Sequence, residues 1–303
     1  MTTSIVLDLI DAFRRSKTMF AAAELGIFDG RRPDDCKELP RLLAACASLG
    51  LLTEKDGLYS NTEEADRFLR SDSPDSMIGY IRYSNHVLYP MWGHLEDAVS
   101  EGSHRWKQTF DLDGPIFSHF FRTDEAMREF LQGMHGFGML GSPSVVAAFD
   151  LTRFHRLVDL GGASGHLAAA AAQRYPEMQT TVFDLPAVAK IYPHVMAGDF
   201  FQDPLPPADL YALGRILHDW SEAKIERLLN KIYAALPPGG GLLIAEKLLE
   251  NISAHMQSLN MLIVTEGRER TAEQYAALLQ RAGFTSVESR RTGAPVDATL
   301  AIK

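Results

Sequence analysis

The 303-residue sequence predicts an α/β protein, a doubly wound and mainly parallel sheet preceded by a mainly helical first part. Past Phe149, short apolar runs alternate with helical stretches, the pattern of repeated βαβ units. The first of those runs ends in a glycine-rich turn, Gly161-Gly162-Ala163-Ser164-Gly165. Before Phe149, apolar residues recur at helical spacing and strand-like runs are scarce.

In the first part, Ile5, Val6, Leu9, Ile10 and Phe13 form one apolar stripe of an amphipathic helix. Thr18 to Leu25 is rich in helix formers, and Gly26 is placed to end it. Leu39 to Leu49 reads as a further helix closed by Gly50. Asp56-Gly57 then sits between two short segments, a hairpin signal. A helix followed by a small hairpin suggests a winged-helix element. Further helices are expected around Trp92 to Ser100 and Glu125 to Leu140.

In the second part, strands are expected at Arg156 to Leu160, Thr180 to Asp184, Leu210 to Gly214 and Gly241 to Ala245. Helices are expected at Leu167 to Tyr175 and Glu222 to Leu236. The chain therefore divides into a helical, winged-helix-like region over 1–110, connecting helices over 111–150, and the sheet domain over 151–303. No internal repeat or low-complexity segment interrupts it.

Bulk properties narrow the function. Hydrophobic residues make up 46% and charged residues 23%, the balance of a globular chain with a packed core. A net charge of −9 argues against a broad nucleic-acid surface. No apolar run approaches the roughly 18 residues of a membrane span, and Met1 to Lys17 lacks the zones of a signal peptide. Cys36 and Cys46 form no metal-binding spacing, so two free thiols and a cytoplasmic location are the expectation.

The motif of highest information is Val158-Asp159-Leu160-Gly161-Gly162-Ala163-Ser164-Gly165. A strand running into glycines and then a helix suits a nucleotide or nucleoside at the strand's carboxyl end. It departs from G-x-G-x-x-G, because Ala163 and His166 take the second and third glycine positions. Asp184, closing the second strand, can accept from both ribose hydroxyls. Gly198-Asp199-Phe200-Phe201 offers an acid for an adenine amino group and a ring to pack on the base. After the fourth strand comes Arg215-Ile216-Leu217-His218-Asp219-Trp220. A histidine there faces the same crevice, and its ordinary pKa of about 6.5 suits a general base. Glu246 and Glu269 are candidates to orient its ring.

These motifs, in this order, resemble the caffeic-acid and acetylserotonin O-methyltransferase family with its bacterial small-molecule relatives. DLGGASG is similar to the family's first cofactor motif, and VFDLP, GDFF, GRILHDW, PGGGLLIAEKLL and TEGRERT follow in sequence. The stretch 200–270, with SLNMLIVTEG, resembles the acetylserotonin branch in particular. The resemblance covers nearly the whole chain. It implies a seven-stranded Rossmann-like methyltransferase domain with an antiparallel strand near the C-terminus (DATLAIK), and a winged-helix-like N-terminal domain that forms a homodimer. The implied cofactor is S-adenosylmethionine, leaving as S-adenosylhomocysteine, with no metal. Gly161, Asp184, Asp199, Phe200 and Arg215 would hold the cofactor. His218 would be the base, flanked by Glu246 and Glu269. Met134, Asn260 and Met261 would line the pocket of a small aromatic or natural-product acceptor, with other residues of the 130–140 helix.

The chain departs from the family in three short stretches, 28–39, 184–199 and 250–256. Either these loops are truly trimmed or residues are missing from the chain there, and because a parallel crossover takes about a dozen residues the second is the expectation. Two other readings compete. A nicotinamide-dependent dehydrogenase shares the glycine turn and acid, but not the downstream motifs. A catalytically silent relative or winged-helix binding protein would be expected to lack His218 or the glycine turn, and both are present. Lys37 and Arg41 are the only basic residues from Lys37 to Leu49, poor support for DNA binding. Met127, Met134, Met139 and Met261 could make an adaptable apolar pocket, though methionines so placed are more often simply core. Phenols, polyketides, indoles and other heteroaromatics all stay open as acceptors, and so does N-methylation.

Overall fold

The computed structural model describes residues 4–33 and 35–303. Residues 1–3 of the Met1 to Lys17 segment and residue 34 of the short 28–39 stretch lie outside the described residues. The chain forms two compact units, Met1–Tyr89 and Pro90–Lys303.

In the first unit one unbroken helix, Ile5–Glu24, replaces the two helical pieces read from the sequence. Gly26, at a φ of +70°, ends it. The helix Leu39–Ser48 leads to an antiparallel hairpin of β1 (Leu52–Lys55) and β2 (Leu58–Asn61). Asp56 and Gly57 join the strands with φ of 50° and 80°, the left-handed pair that matches the twist of a two-residue hairpin. Ala22, Ile27, Phe28, Leu43, Cys46, Leu52 and Ala65 form this unit's core. Cys36 and Cys46 are both free thiols.

The larger unit is built on β3 (Arg156–Leu160), β4 (Gln179–Asp184), β5 (Met196–Ala197), β6 (Leu210–Gly214), β7 (Gly241–Glu246), β8 (Ser286–Arg290) and β9 (Asp297–Ile302). Their order in the sheet is β5-β4-β3-β6-β7-β9-β8. All pairs are parallel except those of β9, which is antiparallel to both β7 and β8. The chain leaves β3 in one direction and returns to β6 on its other side, making a topological switch point.

Alternate residues of the buried strands feed two cores. Tyr211, Leu213, Leu242 and Ile244 pack against Ile225, Leu228, Leu229 and Ile232 of the helix Glu222–Ala235. On the opposite face Leu157, Leu210, Ala212, Leu243 and Ala245 meet Leu167, Ala168 and Ala171 of the helix His166–Arg174. Val145 and Val146, from the helix Asp124–Ala147, complete that side.

The division between units falls at 89/90, where the sequence reading set its first boundary at 110/111. The segment after Tyr89 is anchored in the larger unit by its backbone and by Trp106. The Arg105 amide donates to the Ile263 carbonyl at 2.8 Å, and Trp106 Nε1 donates to the Val264 carbonyl at 2.8 Å. The 184–199 stretch also closes with the residues it has. Residues 185–195 hold a six-residue helix, Pro186–Ile191, and β5 shrinks to two residues. Among the described residues, no helix is long and apolar enough to cross a membrane.

Candidate active site

The carboxyl edge of the parallel strands gathers the residues with chemistry. Gly161 follows β3, Asp184 closes β4, Asp199 and Phe200 follow β5, Arg215 follows β6, and Glu246 closes β7. Each lies where a strand's last carbonyl leaves the ladder and the chain turns, so the sheet itself sets their spacing.

The glycine turn is tight by necessity. Gly161 and Gly165 have φ of +70° and +79°, and Ala163 between them also lies in the left-handed region at 48°. A Cβ on Gly161 would stand 2.6 Å from Ile216 Cδ1 and 3.3 Å from the Phe200 ring. A Cβ on Gly162 would stand 2.5 Å from the Asp159 carboxylate. The turn is held from the next strand. The Gly161 amide donates to the Phe183 carbonyl at 2.8 Å, and the Ala163 amide donates to Asp184 Oδ2 at 2.8 Å. Asp184 Oδ1 accepts from the Leu185 amide at 2.7 Å. Burial pushes the Asp184 carboxyl up to about 6, against the pull of those two amides. Asp199 Oδ1 caps the following turn by accepting from the Phe201 amide at 2.7 Å.

Just past β6, the neighbour of β3 in the sheet, stands His218, in a single helical turn, Leu217–Asp219. Its Nδ1 is 2.7 Å from Glu269 Oε1 and 3.3 Å from Glu246 Oε2. Its Nε2 comes no nearer than 3.7 Å to Asp219 Oδ1. Glu246 is itself fixed, because its Oε1 accepts from the Ile216 amide at 2.9 Å and the Leu217 amide at 2.8 Å. Burial pulls the imidazole toward its neutral form, yet the carboxylates of Glu246, Glu269 and Asp219 outweigh it and lift His218 to about 9. Burial in turn pushes the carboxyls of Glu246 and Asp219 above the usual range. His218, Glu246 and Glu269 each present one atom within 4.8 Å of the others, a spacing that a metal ion as well as a shared proton can use. The short Nδ1 contact to Glu269 is that of a hydrogen bond, with the ring proton on Nδ1.

A narrow cleft opens beside this cluster, lined by Phe137, Arg215, His218, Lys247, Gln257, Glu269, Pro295 and Val296. Comparison with known proteins gives this arrangement its context. A family model described as an O-methyltransferase domain matches residues 92–285. Acetylserotonin O-methyltransferase of Bos taurus is 39% identical over 336 aligned positions, covering 99% of this chain and 97% of the bovine protein.

The chain belongs to the O-methyltransferase family.

Solved relatives extend the match to three dimensions. Human N-acetylserotonin methyltransferase, solved in complex with SAM, superposes with a TM-score of 0.94 at 36% identity, covering 100% of this chain and 99% of that one. PigF, solved with SAH, superposes with a TM-score of 0.88 at 26% identity, with 100% of both chains covered. The seven-stranded, mostly parallel sheet of this O-methyltransferase is the fold expected from its motifs.

Within this O-methyltransferase the residues singled out from the sequence fall into three groups. Gly161, Asp184 and Phe200 meet around one turn, with Asp199 next to them. His218, Glu246 and Glu269 form one buried cluster, and Arg215 lines the cleft beside it. Met134, Asn260 and Met261 are not among the residues lining that cleft. Asn260 is buried and accepts from Trp92 Nε1 at 3.0 Å, and Met261 is 4% exposed.

Several residues escaped the sequence reading. Asp159 lies under the glycine turn, 1% exposed, and burial lifts its carboxyl to about 7. His135 and His166 tie the helix Asp124–Ala147 to the turn. His135 Nδ1 meets Ser164 Oγ at 2.8 Å, and His166 Nδ1 meets Ser142 Oγ at 2.8 Å. A Cβ on Gly138 would overlap the His166 ring, so that glycine admits the histidine. Lys247 and Gln257 line the cleft. Lys247 directly follows Glu246, and Gln257 lies one helical turn before Asn260 and Met261, signals available in the sequence.

Proposed function

We propose that this chain transfers the methyl group of S-adenosylmethionine to a hydroxyl of a small aromatic or natural-product molecule, with His218 as general base. The observation that carries this reading is the arrangement of His218. Its Nδ1 is committed to Glu269 at 2.7 Å, and the residue lines the cleft, which leaves Nε2 to accept a proton.

The methyl donor is S-adenosylmethionine, and the residues present fit it. The turn packs tightly, since a Cβ at Gly161 would meet Ile216 and one at Gly162 would meet Asp159, and Asp184 keeps acceptor lone pairs at the strand end. Phe200 beside Gly161 gives an apolar wall, and Asp199 an acid, in reach of the same ligand. Arg215 extends the set toward the cleft. The cofactor, once bound, supplies an electrophilic methyl group on a sulfonium and leaves as the thioether S-adenosylhomocysteine. What the chain contributes is position and proton transfer. Glu269 holds the ring and its tautomer, Glu246 holds the turn that carries it, and Nε2 takes the hydroxyl proton as the oxygen attacks. A phenol of pKa about 10 is well matched to a base lifted to about 9.

A homodimer belongs to the same reading. Ile5, Val6, Leu9, Ile10 and Phe13 are each more than half exposed on the helix Ile5–Glu24, an apolar stripe that a second copy would cover. Two unpaired thiols support a cytoplasmic location.

The test is isothermal titration of the protein with S-adenosylhomocysteine and, separately, with NAD, followed by transfer of labelled methyl to a panel of phenols and hydroxyindoles. Micromolar binding of the thioether and methyl ether formation are expected. Binding of NAD alone, or thioether binding without transfer to any hydroxyl, contradicts the reading.

A further inference from the structure

His218 is built to keep its proton. The residue is 3% exposed, and three carboxylates stand around its ring. Nδ1 meets Glu269 Oε1 at 2.7 Å and Glu246 Oε2 at 3.3 Å, and Nε2 faces Asp219 Oδ1 at 3.7 Å. Glu246 Oε2 and Glu269 Oε2 are buried without a hydrogen-bond partner, so much of their charge falls on the ring.

The other charged groups nearby are engaged elsewhere. Arg270 donates to Glu222 Oε1 at 2.9 Å and to the Leu217 carbonyl at 3.3 Å. Lys247 donates to Ser253 Oγ at 2.8 Å, and the Arg215 guanidinium lies 5.1 Å from the Phe137 ring centre. On the helix Ala272–Arg281, Tyr275 stays neutral, its hydroxyl pushed up by burial and by the same two glutamates. Burial draws the imidazole toward its neutral form, but Glu246, Glu269 and Asp219 outweigh it and hold the ring at about 9. Such a ring carries its proton through neutral pH, where a base must be free of it.

The methyl donor and its product differ by one charge, because the sulfonium becomes a neutral thioether. A hydroxyl within hydrogen-bond reach of Nε2, with a methyl group about 3–3.5 Å from its oxygen, sets the sulfonium within roughly 8 Å of the ring. At an effective dielectric of about 20, a positive charge at that distance lowers the pKa of another cation by about 1.5 units.

We propose that His218 releases its Nε2 proton to solvent when the sulfonium cofactor is bound and keeps it when the thioether product is bound. The inference rests on the reading that His218 faces the reactants of methyl transfer. Nδ1 retains its proton against Glu269, so the loaded site holds a neutral imidazole with Nε2 free. The same charge makes the site choose between cofactor and product. The free ring titrates at about 9 and the loaded ring about 1.5 units lower. Binding of S-adenosylmethionine relative to S-adenosylhomocysteine therefore strengthens as pH rises between those two values and is level outside them.

Calorimetric titration of the protein with each ligand, in buffers of low and high ionisation enthalpy, counts the protons released. At pH 8, S-adenosylmethionine should release about two-thirds of a proton more than S-adenosylhomocysteine. The α-amino groups of the ligands also titrate near this pH, and their share cancels against the same pair of titrations on His218→Ala, where the remaining excess should vanish. If that variant does not fold, Glu269→Gln decides, since the pH of greatest excess should move down by about one unit while the ligands' own titration stays in place. Equal release by the two ligands in the wild type, or an excess that survives in His218→Ala or does not move in Glu269→Gln, overturns the proposal. Methyl transfer to a hydroxyl by a protein that shows equal release leaves the parent reading standing and removes this one. If the wild type binds neither ligand, both fall.

Discussion

His218 and Glu269 are joined by a 2.7 Å contact between Nδ1 and Oε1, with both side chains buried. The pairing fixes which nitrogen carries the ring proton, and the surrounding carboxylates lift the imidazole to about 9. A base must be neutral to accept a proton. Because its folded pKa is raised, His218 is charged through neutral pH, and kcat/KM should rise with pH up to about 9. Glu269→Gln removes one of the carboxylates that raise it. The acid limb of the pH profile should then move down by about one unit, with a fall of roughly tenfold or more in the maximal rate. A limb that stays in place would separate the measured titration from His218.

The glycine turn makes a prediction about binding. Gly161→Val must place a branched side chain at a φ of +70°, with its Cβ 2.6 Å from Ile216 Cδ1. The side chain must push aside Ile216 and the Phe200 ring at the turn, an overpacking that reshapes the site, so affinity for S-adenosylhomocysteine should fall roughly tenfold or more. Titration calorimetry reads it, with circular dichroism to check that the fold persists. Unchanged affinity would move the cofactor away from this turn.

Asp159 makes a prediction about stability. Its folded pKa, raised by burial to about 7, lies above the ordinary 3.8, so the folded state holds its proton more tightly than the unfolded one. Stability is therefore lost as pH rises from about 4 to about 7, by up to about 4 kcal/mol. Asp159→Asn abolishes that loss. The variant should melt several degrees above wild type at pH 8 and close to it at pH 4. An equal difference at both pH values would mean that Asp159 does not titrate in this range.

The exposed stripe of the first helix predicts the oligomeric state. Ile10→Glu with Phe13→Lys places charge on an apolar face in which both residues are 54% exposed. Light scattering should report a dimer for wild type and a monomer for the double variant. A monomeric wild type would remove the dimer from the proposal.

Much of this was legible in the sequence. The buried parallel strands read as short apolar runs because both faces are covered, and all six residues of β7 are buried. β8 escaped because its half-buried alternation, in Ser-Val-Glu-Ser-Arg, lacks an apolar run. β5 escaped because two residues carry no period. The cluster of His218, Glu246 and Glu269 could be named in advance because each residue stands in a motif of its own. The cleft could not, because Lys247, Gln257, Pro295 and Val296 come together only through the sheet and the helix Ile252–Val264. Asn260 illustrates the same limit, since its partner Trp92 is far away in the chain.

The most direct test of the base is His218→Ala, measured for binding of S-adenosylhomocysteine and for methyl transfer to a hydroxyl acceptor in the same preparation. The variant should bind the thioether within about twofold of wild type and lose roughly 10²–10⁴ in turnover. Turnover close to that of wild type, with the thioether bound, would show that His218 does not take the proton.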